Sequence, residues 1–267
     1  MLRADFQRIF SSLRFWAAAA GVFLAMGIAA YLQFTGELGY TLELAASGLP
    51  PGFHQEVLLA ALRTPWLIQA LTLAATLPFA SSLAEDRRDG RGVLLATRTL
   101  WRKYLCGRCA SIALSAALAA ILGLLLCIGI LVLILLPMEL AAQEAPASQM
   151  PAVWGMVLRA GTSCAVFALT GALGSMALRG AWAAYVLPPA LWIGLHFLCI
   201  RAVPALFCLD IVQWIQPVDV WLGGSWGVLL FQGELLAILV LAIYLVGKGA
   251  FLAPVRRASH ARRKEAA

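Results

Sequence analysis

The chain has 267 residues, 62% of them hydrophobic and only 12% charged, with a mean hydropathy of +0.87. A water-soluble domain carries about a quarter charged residues and a largely polar exterior, so the composition excludes a separate soluble domain and implies one membrane domain, 1–267, with short tails. The net charge of +7 raises nucleic acid as a partner, but the placement of the charges accounts for it by topology, and no nucleic acid is expected.

In chain order, residues 1–14 are a basic head carrying Arg3, Arg8 and Arg14. A helix crossing a hydrocarbon core of about 30 Å needs about 20 mostly apolar residues. Phe15 to Phe34 is an uncharged run of 20, longer than the apolar core of a typical signal peptide, so an uncleaved first span is expected. Thr64 to Ala84 gives a second run, of 21, and Cys109 to Met138 a third, of 30, which suits one long helix. Arg159 and Arg179 bracket the fourth, Gly180 to Ile200 is the fifth, and Trp226 to Gly247 is the sixth, with a single Glu234 inside. The expected fold is therefore all-α and polytopic, with about six transmembrane helices.

Along the third run Ser111, Ser115, Ala119, Gly123 and Cys127 recur every fourth residue, a stripe of small side chains against which another helix can approach closely. Pro78 and the Pro188-Pro189 pair fall inside runs, where they bend helices. Residues 201–225 are aromatic and weakly charged, an outer loop that suits a re-entrant or interfacial helix pair. Residues 248–267 are a basic tail.

Basic residues favour the cytoplasmic side. With the N-terminus inside, all the Lys and Arg residues except Arg63, Arg159 and Arg201 fall on cytoplasmic segments, while Glu37, Glu43, Glu56, Glu139, Glu144, Asp210 and Asp219 fall outside. Both termini are thus expected in the cytoplasm. Trp16, Trp66, Trp154, Trp182 and Trp226 lie near the expected helix ends, at headgroup depth.

Catalytic and energy-coupling motifs are missing from the sequence. It has no G-x-x-x-x-G-K-[ST] phosphate loop and no H-E-x-x-H zinc helix. Cys106 and Cys109 form a lone C-x-x-C, short of the four ligands zinc needs, and the six cysteines read as small packing residues. His54, His196 and His260 lie in different regions, and His196 within a span suits a hydrogen-bonded core imidazole. Neither an enzyme nor a metal or cofactor site is expected.

The segment from Glu85 to Arg108 mixes arginines with Leu94, Leu95 and Leu100-Trp101. Two readings fit that composition: a short amphipathic helix lying on a protein or headgroup surface, and a simple positive-inside loop.

In this segment the chain resembles the permease subunits of type-2 ABC transporters (ABC-2 exporters). Their loop after the second span reads roughly E-x-x-x-G-T-x-x-x-L-L-x-T-P, with a Gly-Lys ten residues beyond that Thr. Glu85, Leu94-Leu95 and Thr97 match, and Gly107-Arg108 falls at the Gly-Lys spacing. Asp5, Arg8 and Ser11-Ser12-Leu13-Arg14-Phe15-Trp16 resemble the family's lead-in to its first span. The Pro after the Thr is Arg98 here, and the Gly-Thr pair is replaced around Asp89-Gly90.

The resemblance implies a permease without its own nucleotide site, exporting a substrate across the plasma membrane (in bacteria, the inner membrane) with energy from a separate cytoplasmic ABC ATPase that binds the ATP. It implies that residues 85–103 are the coupling loop, with Leu94 and Leu95 as apolar anchors and Glu85, Arg87, Arg88 and Arg98 as charged contacts. It also implies that residues 1–14 form an interfacial helix beside that loop, and pairing with a second permease copy or a paralogue, in contact with membrane lipid. Two other functions fit the composition: an intramembrane lipid-modifying enzyme using His196, Glu234 or Arg159, and a non-transporting membrane scaffold.

Two ionisable residues lie within the outer half of the expected spans. Arg159 is about 9 Å inward from Val153 and Glu234 about 12 Å inward from Trp226. Burying either charge alone costs about 2.5 kcal/mol at the bilayer centre. One expectation is that they pair between spans four and six. The alternative is that Arg159 snorkels to headgroups while Glu234 faces a polar neighbour or water.

Overall fold

A computed structural model describes residues 2–37, 39, 48–90, 101–139, 147–216 and 221–265. Regular structure among these residues is helical, apart from one isolated bridge between Leu49 and Glu139. Five helices are long and apolar enough to cross a membrane, and a bent helix pair makes a sixth crossing when counted as one. The protein is an all-α polytopic membrane protein.

The first helix, α1 (Leu2–Ser11), lies against the bundle through Ile9, which is buried with Phe15, Ala18, Ala19 and Ala119. Ser12 breaks the helix, and α2 (Leu13–Leu32) follows as the first span, ending in a π-helical turn over Gln33–Glu37.

The second crossing departs from the sequence expectation. The uncharged run 64–84 is not one helix. It holds α4 (Pro65–Thr76), only about 18 Å long at 1.5 Å per residue, which pairs with the preceding α3 (Phe53–Leu62) at a bend of 63°. Proline chemistry sets both breaks. Thr64, extended as a residue before proline must be, separates α3 from Pro65 at the first position of α4. Pro78 lies in the non-helical turn that ends α4 before the short α5 (Ser82–Arg88).

The long third span is present as expected. It is α6 (Trp101–Leu135), 35 residues and about 52 Å, closed by a 3-10 turn over Leu136–Met138. Its stripe Ser111, Ser115, Ala119, Gly123, Cys127 is buried throughout. A Cβ added at Gly123 would overlap the Ala19 carbonyl oxygen and lie 2.9 Å from Val22 Cβ, so the backbones of α2 and α6 meet at this glycine.

The most enclosed span is α7 (Met150–Ala177), with 72% of its apolar window buried against 17–39% for the other single-helix spans. Next, α8 (Ala183–Arg201) runs through Pro188-Pro189 and packs its first turns against Gly171 and Gly174 of α7. The segment 201–225 holds a 3-10 stretch, Pro204–Leu209, and the short α9 (Ile211–Ile215). Finally, α10 (Gly224–Glu265) spans with its first 25 residues and continues as helix into the basic tail.

Apolar side chains such as Leu24, Ile28, Leu133, Phe197 and Leu241 point outward, as a lipid-facing surface requires. Trp16, Trp154, Trp182 and Trp226 are exposed near helix ends. The arginine-rich Glu85 region, the start of α2 and the end of the last span share one end of the bundle: Arg14 reaches Glu85, and Gly247 sits against Trp101 and Leu105.

Candidate coupling site

The two flanks of the arginine-rich arm, α5 and the start of α6, are joined by buried polar chemistry. Asp86, 8% exposed, accepts a hydrogen bond from the Tyr104 hydroxyl at 2.8 Å and pairs with Arg108 Nη2 at 2.9 Å. These contacts hold α5 against the start of α6 on either side of the arm, residues 89–100. Leu94, Leu95 and Arg98, which the sequence places at its tip, lie outside the described residues.

Glu85 faces the other way, toward the N-terminal segment. Arg14 donates to its Oε1 at 3.1 Å and Ser81 Oγ donates to the same oxygen at 2.8 Å. Since Ser81 spends its proton there, the Tyr185 hydroxyl 3.0 Å away is the donor to Ser81. Burial works to raise the Glu85 carboxyl, but the hydrogen bonds from Ser81 and Arg14, with the charges of Arg14 and Arg108, outweigh it and hold the group below the usual carboxylate range. One carboxylate thus links α2, the base of the arm and α8.

Beside Glu85 a cavity of about 460 Å³ opens, lined by Arg87, Arg88 and Arg179. None of these arginines forms an ion pair with a described residue. Arg179 adopts φ +55, a left-handed conformation uncommon for a residue with a side chain, in the tight turn from α7 to α8. These three cations line the cavity against the single carboxylate of Glu85, which leaves the recess net positive.

The expected pair of Arg159 and Glu234 is not formed. Arg159, 5% exposed, donates from Nε and Nη2 to the Ile215 carbonyl at 3.2 and 3.0 Å, which caps the end of α9 with a charge. Glu234 is exposed on α10. The residue of α10 that reaches α7 is Gln232, two positions earlier. Its amide donates to Ser163 Oγ at 2.9 Å and to the Arg159 carbonyl at 3.4 Å, and its oxygen accepts from Thr162. A shift of two residues is about 200° around a helix, so Glu234 and Gln232 point in nearly opposite directions.

Two histidine–carboxylate pairs stand at the end of the bundle opposite the arm. His54 Nδ1 lies 2.6 Å from Glu139, whose oxygens also accept from the Gly52 and His54 backbone N–H groups at 2.9 and 2.7 Å. Burial works to raise the Glu139 carboxyl, but these hydrogen bonds and the His54 charge outweigh it and lower it. His196 Nδ1 lies 2.6 Å from Asp210, which also caps α9 through the Val212 N–H at 2.9 Å. His196 is therefore hydrogen-bonded, as the packing reading of the sequence had it. Composition gives no sign of either partner, because each carboxylate lies on a connection outside its histidine's helix, 85 residues along the chain from His54 and 14 from His196.

No protein-family profile, curated protein or solved structure matches the chain.

Proposed function

We propose that this protein is the membrane-spanning permease subunit of an ABC-2-type exporter, set in the plasma membrane with its arginine-rich end in the cytoplasm and driven by a separate ATPase. The observation that carries the reading is the clasp of Asp86 with Tyr104 and Arg108. A coupling arm works as a lever only if force on its tip reaches the spans instead of being absorbed in a loose hinge. The clasp ties the arm's neck to α6, and Glu85 ties its first flank to α2 and α8. The recess of Arg87, Arg88 and Arg179 supplies positive charge where an acidic face of the ATPase would meet the arm. The substrate path would lie between two permease copies.

The test is co-purification from the native host of the full chain with its nucleotide-hydrolysing partner. Wild type is expected to carry ATPase activity with it, and Leu94→Asp/Leu95→Asp to lose that activity while keeping its elution volume in detergent. Recovery of the folded wild-type chain with no ATPase, or undiminished ATPase on the double variant, overturns the proposal.

A further inference from the structure

From the arm end of the bundle inward, α6 and α10 run antiparallel and leave a groove of about 590 Å³ between them, floored by Leu169 of α7. Its walls are apolar. Cys106, Cys109 and Ala113 contribute from α6, and Ala237, Leu241 and Tyr244 from α10. At the arm end the helices converge: a Cβ at Gly247 would lie 3.1 Å from Trp101 and 3.3 Å from Leu105. Each wall ends in a cation at this pinch. Arg102 lines the groove directly, and no acidic residue does. Lys248, exposed, continues the face Ala237, Leu241, Tyr244 at the four- and three-residue steps of one helix side.

We infer that this groove is a binding site for one anionic phospholipid, with an acyl chain along the α6–α10 trough and its phosphate between Arg102 and Lys248. Three observations select that occupant. From Arg102 to Ala113 the wall is about 16 Å long, close to half the hydrocarbon core, which is one leaflet's share. Arg102 and Lys248 stand at the very ends of two spans, where headgroups lie. The cations meet the apolar trough at one end only, which matches an amphiphile with a single charged head. A helix from a second copy would have to continue beyond Ala113, where the lining stops.

The experiment is native mass spectrometry of the full chain with equal amounts of dioleoyl phosphatidylglycerol and dioleoyl phosphatidylcholine. Two basic groups acting on one phosphate predict that the anionic lipid is retained roughly tenfold over the neutral one. Arg102→Gln/Lys248→Gln should bring the two lipids to parity while still retaining them. Ala237→Phe, which fills the exposed trough without entering the core, should lower both. Both variants should keep the helical circular dichroism and elution volume of wild type. Equal retention of the two lipids by wild type overturns the inference, as does an undiminished preference in the double variant. Displacement of the lipid by inorganic phosphate would reduce the site to a bare ion site and overturn it. So would an oxidative Cys106–Cys106 dimer in the Cys208→Ser background, which would show a second copy seated on the groove.

Discussion

The two ends of α6 treat charge in different ways. At the Arg108 end, ion pairs join segments that enclose an arm, and Arg87, Arg88 and Arg179 are left without an ion pair among the described residues. At the Glu139 end, buried charge is consumed locally: His54 closes on Glu139, His196 on Asp210, and Arg159 on a backbone carbonyl. Unspent charge at a surface costs little there and is available to a partner, whereas satisfied charge fixes connections in place. The first end leaves cations lining a cavity, and the second ties its connections to the helices.

Breaking the clasp is the strongest test of that contrast. Arg108 and Asp86 have side chains only 12% and 11% exposed, so Arg108→Gln strands a buried carboxylate. It is expected to cost about 3 kcal/mol, read as a lowered unfolding midpoint in detergent. Tyr104→Phe, which keeps the ion pair, should cost less. A neutral result for Arg108→Gln would mean that the arm's neck is not fixed by this pair.

At the opposite end, Glu139→Gln is expected to cost about 2 kcal/mol at neutral pH, the scale of hydrogen bonds to a charged group. Because the Glu139 carboxyl is held low, its contribution is complete above the ordinary carboxylate range and lost as pH falls through the lowered value. Thermal unfolding in detergent from about pH 6 to about pH 2.5, a range that runs below the ordinary carboxylate value of about 4.3, should therefore show a steeper acid loss for wild type than for Glu139→Gln. Parallel curves would remove Glu139 from the account of this end. Glu85 is held low too, but its side chain is about half exposed, and solvent screening leaves its replacement with a much smaller effect on stability.

The sequence shows what lipid dictates and hides what the fold assembles. Run length gave α2, α6, α7, α8 and the spanning part of α10, because only helices of sufficient apolar length can cross hydrocarbon. The fourfold stripe ending in Gly123 and Cys127 told that α6 has a close neighbour, since small residues at that spacing have no other packing use. The second crossing was misread because hydropathy is blind to backbone geometry: Pro65 and Pro78 lie within a smooth apolar run yet begin and end a helix of 12 residues. The site was half legible. Glu85, Arg87 and Arg88 were marked by charge at the foot of the arm, but that Asp86, and not Glu85, would close on Arg108 depends on which side of α5 faces α6. Opposite charges at the two flanks of an arm that must re-enter lipid were the available clue, because a lone charge there is expensive.

Gln232 and Glu234 separate sequence reasoning from structure by two residues, and they make the finest test. Gln232, fully buried, bridges Ser163 and the Arg159 carbonyl, so Gln232→Leu leaves polar groups in α7 short of a partner and should cost about 1 kcal/mol. Glu234 faces outward, and Glu234→Gln should change the unfolding midpoint by less than the equivalent of about 0.5 kcal/mol. Arg159 supplies the control. If Glu234 balanced its charge, Glu234→Gln would leave a buried guanidinium unpaired and weaken the protein as much as a buried pair does when broken. With the Ile215 carbonyl as its acceptor, Arg159 should instead be indifferent to residue 234 and sensitive to any change that moves the end of α9. A large loss on Glu234→Gln would therefore restore the salt bridge that their similar depth in the spans suggested and move Arg159 from capping a short helix to bridging two spans.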